Sequence, residues 1–194
     1  MGASLCSADL LAFPCLDGPM DACDKQARAA FERADADRDG MLTRQEVSTA
    51  IADLPQLWAM LEVNTGIERG RCQEIATNVA MNKLDANADG VLSWREFRGL
   101  WTGILAEPKS QLEFYHRAMF NAFDADGNQM LDAEELAHFL EIFYREGSIF
   151  TGDRRLPPKE ELVERAMERL DQNKDHLLSF RELSPLLTGH MKLV

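Results

Sequence analysis

The sequence predicts an all-α protein arranged as two lobes, each built from two helix–loop–helix hands joined by a short two-stranded ladder. Three observations predict this. A twelve-residue acidic pattern recurs four times in register along the 194 residues, apolar residues at helical spacing flank every copy, and one apolar residue inside each copy sits where two loops would pair. A repeated unit that cannot bury its own apolar face must pack on a neighbour, so four copies imply two pairs.

The copies are DADRDGMLTRQE (35–46), DANADGVLSWRE (85–96), DADGNQMLDAEE (124–135) and DQNKDHLLSFRE (171–182). Each places oxygen-bearing side chains at positions 1, 3, 5, 9 and 12, with an apolar residue at 8 and Glu at 12. A hard cation such as Ca²⁺ takes about 6–8 oxygen ligands, and a loop wraps it with alternate side chains, one backbone carbonyl, a water-bridged group and a bidentate carboxylate. The candidate ligands of the first loop are Asp35, Asp37, Asp39, the Met41 carbonyl, Thr43 through water, and Glu46, with Gly40 at the sharp turn. The second loop offers Asp85, Asn87, Asp89, the Val91 carbonyl, Ser93 and Glu96, with Gly90 at the turn. The third offers Asp124, Asp126, Asn128, the Met130 carbonyl, Asp132 and Glu135; the fourth offers Asp171, Asn173, Asp175, the Leu177 carbonyl, Ser179 and Glu182. In these two, Gln129 and His176 stand at the sixth position, where a Cβ costs about 1 kcal/mol or more in a left-handed backbone. The expectation is up to four Ca²⁺. A bidentate Glu favours Ca²⁺ over the tightly octahedral Mg²⁺, and resting Mg²⁺ occupancy stays open.

The flanking elements follow in order. Residues 1–21 form an apolar N-terminal segment; 22–106 form a first lobe with hands one and two; 107–110 are a linker; and 111–190 form a second lobe with hands three and four. Entering helices carry apolar residues five, four and one positions before each loop: Ala30, Phe31, Ala34; Ala80, Met81, Leu84; Met119, Phe120, Phe123; Ala166, Met167, Leu170. These offsets share one helical face. Position 9 with Glu at 12 reads as a capping box for the exiting helix (Thr43 with Glu46, Ser93 with Glu96, Asp132 with Glu135, Ser179 with Glu182), and Val47, Phe97, Leu136 and Leu183 begin its apolar stripe. The position-8 residues predict ladders pairing Leu42 with Leu92 and Leu131 with Leu178. Between hands one and two, Leu54, Leu57, Trp58 and Leu61 form a helical stripe around Pro55, which predicts an extra short helix or a kinked extension. Pro108 is expected to end the helix before it, and Ser110 to cap the next. The polar run from Glu146 to Pro157, with Arg154 and Arg155, reads as an exposed loop before a helix opened by Pro158.

Four complete loops with their flanking helices resemble the EF-hand superfamily over roughly residues 22–190. In length and inserted connections the chain is similar to the larger four-hand proteins: sarcoplasmic calcium-binding proteins, calexcitin and the neuronal calcium sensors. The last usually have an incomplete first hand, whereas Asp35 to Glu46 is complete. The resemblance implies a Ca²⁺ sensor or regulator that changes helix orientation and docks a protein target or amphipathic helix. The alternatives are a calcium buffer or structural hand protein, and, more remotely, a calcium-triggered photoprotein, whose spaced Trp/His/Tyr constellations and C-terminal Pro are not evident. No Ser-His-Asp set, P-loop or nucleotide fingerprint stands out, so the chain reads as a non-enzyme.

The net charge is −12, from 33 acidic and 21 basic residues. Fourteen of the acids occupy motif ligand positions, and the other nineteen are nearly balanced by the 21 bases. This acidity argues against nucleic-acid binding, which needs a positive surface. Cys6, Cys15, Cys23 and Cys72 lack metal or disulfide-scaffold spacing, and Cys23 and Cys72 read as buried thiols. With neither a basic leader nor a membrane-length apolar run, a cytoplasmic setting is expected. Membrane association through acylation of Gly2 and Cys6 is an open expectation, since Cys6 replaces the usual Ser or Thr of a myristoylation motif. The sequence sets no oligomeric state.

Overall fold

Amphipathic helices alternate with acidic loops in the computed structural model, which describes residues 20–151 and 158–188, with side chains from 24–144 and 158–188. The element order is α1 (Met20–Ala34), β1 (Met41–Thr43), α2 (Arg44–Ala52), a 3-10 turn (Pro55–Leu57), α3 (Ala59–Thr65), α4 (Arg69–Leu84), β2 (Val91–Ser93) and α5 (Trp94–Gly99). A π-helical turn (Leu100–Leu105) follows, then α6 (Pro108–Phe123), β3 (Met130–Leu131), α7 (Ala133–Thr151), α8 (Lys159–Leu170), β4 (Leu178–Ser179) and α9 (Phe180–Leu187). The expected all-α class and both ladders are present. Strand β1 pairs antiparallel with β2 through Leu42 and Leu92, and β3 with β4 through Leu131 and Leu178. All four leucines are fully buried, so the ladder doubles as the floor of each core.

The chain divides into two units, Met1–Tyr115 and His116–Val194, and the boundary falls within α6. In the first, Phe31 of α1 meets Trp94 edge-on at 5.5 Å and Phe97 at 5.6 Å, while Phe97 touches Trp101 at 5.2 Å. Arg98 of α5 donates two hydrogen bonds to Asp24 of α1, at 2.6 and 2.8 Å, and this pairing holds the Asp24 carboxyl below its usual range. The insertion between the first two hands is the 3-10 turn plus α3. Trp58 donates Nε1–H to the Ile51 carbonyl at 3.1 Å, fixing the inserted helix against α2, and Leu57, Trp58 and Leu61 are buried. Cys72 is buried as expected and donates to the Ile67 carbonyl at 3.5 Å; burial pushes its thiol pKa up. The Cys23 side chain lies outside the described residues.

In the second unit Phe120 meets Phe180 edge-on at 5.6 Å, and Phe139 stacks on Phe143 at 5.9 Å. His116 is buried against Phe143, with ring centroids 6.4 Å apart. Removal from water lowers its pKa to about 4, so it is a neutral imidazole at pH 7.

Four local expectations change. Pro108 is the first residue of α6, a position whose N–H has no intrahelical partner in any case. Ser110 lies inside that helix and donates to Glu107 Oε2 at 3.0 Å. Residues 146–151, expected as loop, continue α7 to Thr151: the glycine at 147 costs a helix about 1 kcal/mol, less than is needed to end one. Pro158 is the N-cap of α8, one place before the helix itself. Gly2, Cys6, Cys15, Arg154 and Arg155 lie outside the described residues. No described helix is long and apolar enough to cross a membrane.

Candidate metal centres

Each loop is closed by the carboxylate at its twelfth position. In the first, Glu46 Oε1 accepts from Ala36 N–H at 2.9 Å, while Oε2 accepts from the Thr43 amide at 2.9 Å and the Thr43 hydroxyl at 2.7 Å. Glu96 repeats this with Ala86 (3.2 Å), Ser93 N–H (2.9 Å) and Ser93 Oγ (2.7 Å). Glu182 does so with Gln172 (3.3 Å), Ser179 N–H (3.0 Å) and Ser179 Oγ (2.7 Å). Glu135 accepts from Ala125 at 2.8 Å and Asp132 N–H at 3.0 Å, and the Asp132 carboxylate caps α7 by accepting from Glu135 N–H at 2.9 Å. The reciprocal capping boxes anticipated for Thr43, Ser93 and Ser179 are thus formed. These hydrogen bonds, first those from the hydroxyls of Thr43 and Ser93, lower the pKa values of Glu46 and Glu96.

The first residue fastens the turn. Asp35 Oδ2 accepts from Gly40 N–H at 3.2 Å, Asp85 Oδ2 from Gly90 at 2.9 Å, Asp124 Oδ2 from Gln129 at 3.0 Å, and Asp171 Oδ2 from His176 at 3.0 Å. Position 3 accepts from the amide of position 5 in all four loops, and position 5 from that of position 7. The side chains at positions 1, 3, 5, 9 and 12 therefore bond to their own loop. In the first and third loops three carboxylates, Asp35, Asp37, Glu46 and Asp124, Asp126, Glu135, each offer an oxygen within 4.8 Å of the others. The second and fourth loops carry Asn87 and Asn173 at position 3 and have one carboxylate fewer.

Two atoms test whether a cation fits. Asp35 Oδ1 and Asp124 Oδ1 are buried and have no hydrogen-bond partner. A buried carboxylate oxygen without a donor is costly, and here it belongs to a group whose neighbours are further carboxylates. Burial accordingly raises the Asp124 pKa. A hard cation in each of these two loops would satisfy its orphaned oxygen and offset the mutual repulsion, so the donor set fits calcium chemistry.

The backbone separates the loops in a way the sixth position alone does not show. Every loop takes a left-handed conformation twice, at positions 4 and 6: Arg38 (φ 61°) and Gly40 (83°), Ala88 (57°) and Gly90 (84°), Gly127 (73°) and Gln129 (65°), Lys174 (61°) and His176 (64°). The third loop has its glycine displaced by two places and bears one strained side-chain-bearing residue, like the first two. The fourth has no glycine at either position and bears two. Gly127 was the visible signal.

Paired helix–loop–helix units with oxygen-rich loops define the class as calcium-binding hand proteins. Residues 24–102 and 113–188 each match the EF-hand domain pair, and the chain belongs to that family. It is 29% identical over 130 residues to the probable calcium-binding protein CML17 of Oryza sativa subsp. japonica, covering 61% of this chain and 71% of that one. It is 25% identical over 117 residues to the 16 kDa calcium-binding protein of Schistosoma mansoni, covering 60% and 69%. To the probable calcium-binding protein CML11 of Oryza sativa subsp. japonica it is 27% identical over 165 residues, covering 84% of this chain and 66% of that relative.

Proposed function

We propose that this calcium-binding protein is a sensor that takes up to four ions, with Mg²⁺ at the sites at rest, and docks a protein target or amphipathic helix when loaded. The ligands in this reading are the motif residues: Asp35, Asp37, Asp39, Met41 O, Thr43 and Glu46 in hand one, and the corresponding six in each of the other hands. Bound Ca²⁺ supplies the positive charge that three or four carboxylates per loop call for.

One observation carries the sensor reading. The carboxylate at position 12 in every loop bonds at once to the loop's second residue and to the N-cap of the exiting helix. A change in that carboxylate's partners therefore acts on the first turn of α2, α5, α7 or α9, and the helix start is mechanically tied to the state of the loop. A buffer is the competing reading, favoured by the full burial of Leu42, Phe97, Leu131 and Phe139, apolar side chains whose exposure on opening would be costly.

The two readings separate in a titration of the intact chain with Ca²⁺ while binding of an apolar dye and of an amphipathic helical peptide is followed. Both signals should rise with occupancy and be blunted in Glu46→Gln and Glu96→Gln. Tight Ca²⁺ uptake with no rise in either signal would reject the sensor and leave the buffer.

A further inference from the structure

The second unit carries a groove of about 580 Å³ lined by α9 and by one residue of α6. Its α9 wall is two adjoining rows, Phe180, Ser184 and Thr188 at a spacing of four and Arg181 with Pro185 beside them; Arg117 of α6 completes it. These six residues bring two positive charges and no negative one, although the chain as a whole carries −12. Arg117 is held in place: its guanidinium lies 3.6 Å from the centre of the Phe180 ring, and Phe120 of the core meets that ring edge-on at 5.6 Å. A guanidinium lying on a ring still carries the in-plane N–H donors that meet a carboxylate bidentately, and one already positioned loses less freedom on binding. Arg181 is exposed and pairs with no carboxylate among the described residues. Pro185 adds an acceptor. It has no N–H, so the Arg181 carbonyl four residues earlier lacks its intrahelical donor.

We propose that this groove docks an acidic segment of a protein partner. Arg117 and Arg181 take its carboxylates, the Arg181 carbonyl accepts a main-chain N–H, and Phe180 and Pro185 meet an apolar side chain. Charge complementarity selects this occupant, because the positive charge is local. An anionic membrane or a nucleic acid needs a broad positive face, and a chain of −12 is repelled by either. A free phosphate would use the guanidinium groups but neither the carbonyl nor the apolar surface. A basic amphipathic helix would meet two like charges here. The groove lies outside the twelve-residue loops, and the inference does not rest on the sensor reading.

The full chain, in excess Ca²⁺, is titrated with the end-capped peptide GEELFEEG and with its uncharged counterpart GQQLFQQG, while the arginine side-chain Nε–Hε signals are followed by NMR. GEELFEEG should shift the Arg117 and Arg181 signals and bind at least about tenfold more tightly than GQQLFQQG. Arg117→Gln and Arg181→Gln should each weaken it about threefold to fivefold, and together about tenfold, the range for partly exposed charge pairs. Arg33→Gln with Arg95→Gln removes the same charge from exposed positions of the first unit and should leave binding within about twofold. Arg117 and Arg181 are both exposed, so their variants keep the core, and an unchanged unfolding midpoint verifies this. Equal affinity for the two peptides, equal loss in the control pair, or no binding at about millimolar peptide would overturn the proposal. So would stronger engagement of the same two signals by inorganic phosphate or by phosphatidylserine vesicles. None of these readouts depends on whether Ca²⁺ exposes an apolar surface, so failure here is distinct from failure of the sensor reading.

Discussion

Replacing His176 with glycine tests whether backbone strain, rather than ligand identity, limits the fourth loop. His176 holds φ 64° two residues after Lys174 at 61°, whereas the other three loops each place a glycine at one of these positions. A left-handed backbone costs a residue with a Cβ about 1–2 kcal/mol. Glycine removes that cost but adds about 0.4–1 kcal/mol of chain entropy to the unfolded state, leaving a net gain near 1 kcal/mol in the folded protein. In Ca²⁺ affinity the unfolded chain does not enter. Any strain relieved only on loading should appear there in full, about five- to thirtyfold. Strain already carried by the ion-free loop should appear instead as resistance to denaturant. Calorimetric titration and urea unfolding of His176→Gly, beside Gln129→Gly as the comparison, partition the effect. The reasoning fails if His176→Gly changes neither quantity, or if a glycine at Lys174 and one at His176 together gain no more than either alone.

Three further outcomes follow from the packing. Leu92→Ala removes a fully buried ladder residue and should cost about 2–5 kcal/mol in urea unfolding, with no change in the dependence on denaturant if two-state behaviour holds. Thr43→Ala deletes the cap hydroxyl bonded to Glu46 and should cost about 1 kcal/mol, measured as a shift in the unfolding midpoint. His116 has its pKa lowered from 6.5 to about 4 in the folded state, so the unfolded chain binds the extra proton between those values. Stability supplied by the neutral ring is complete above pH 6.5 and falls away down to about pH 4, by about 3 kcal/mol at most; His116→Phe should flatten this part of the unfolding-versus-pH curve relative to the parent.

Strand register was legible because it hangs on one residue per loop: once Leu42 and Leu92 occupy position 8, any slip would turn a buried leucine toward solvent. The inserted α3 was legible for a similar reason, since the spacing of Leu57, Trp58 and Leu61 suits joint burial where a 3-10 turn leads into a short helix. The π-helical turn at Leu100–Leu105 had no such signature. It carries Trp101, Ile104 and Leu105 into the core beyond Phe97 and the Asp24–Arg98 pair, contacts made with distant α1 that local sequence does not display. The C-terminal limit of α7 was missed because a glycine was weighed as a stop signal at a position where its cost is modest. In the loops, the oxygen pattern gave the converging residues, but the second left-handed position is invisible to a rule that looks for glycine in one place only.

Charge and backbone strain together rank the loops under the proposed ligand assignment. Hands one and three bring four carboxylates, and hands two and four bring three. Each ladder therefore joins a more acidic loop to a less acidic one, β1 to β2 and β3 to β4. Hand two combines fewer charges with a single strained residue, while hand four combines fewer charges with two. Hand four should then be the weakest site when taken alone. It is also the one with most to gain from its neighbour: an ion in hand three would brace β3, and through the Leu131–Leu178 pair would help hold the far side of loop four in the conformation that Lys174 and His176 resist. A ladder between unequal loops converts local strain into dependence of one site on the other. Cooperativity should accordingly be stronger in the second unit than in the first, and His176→Gly should weaken it as it strengthens the site.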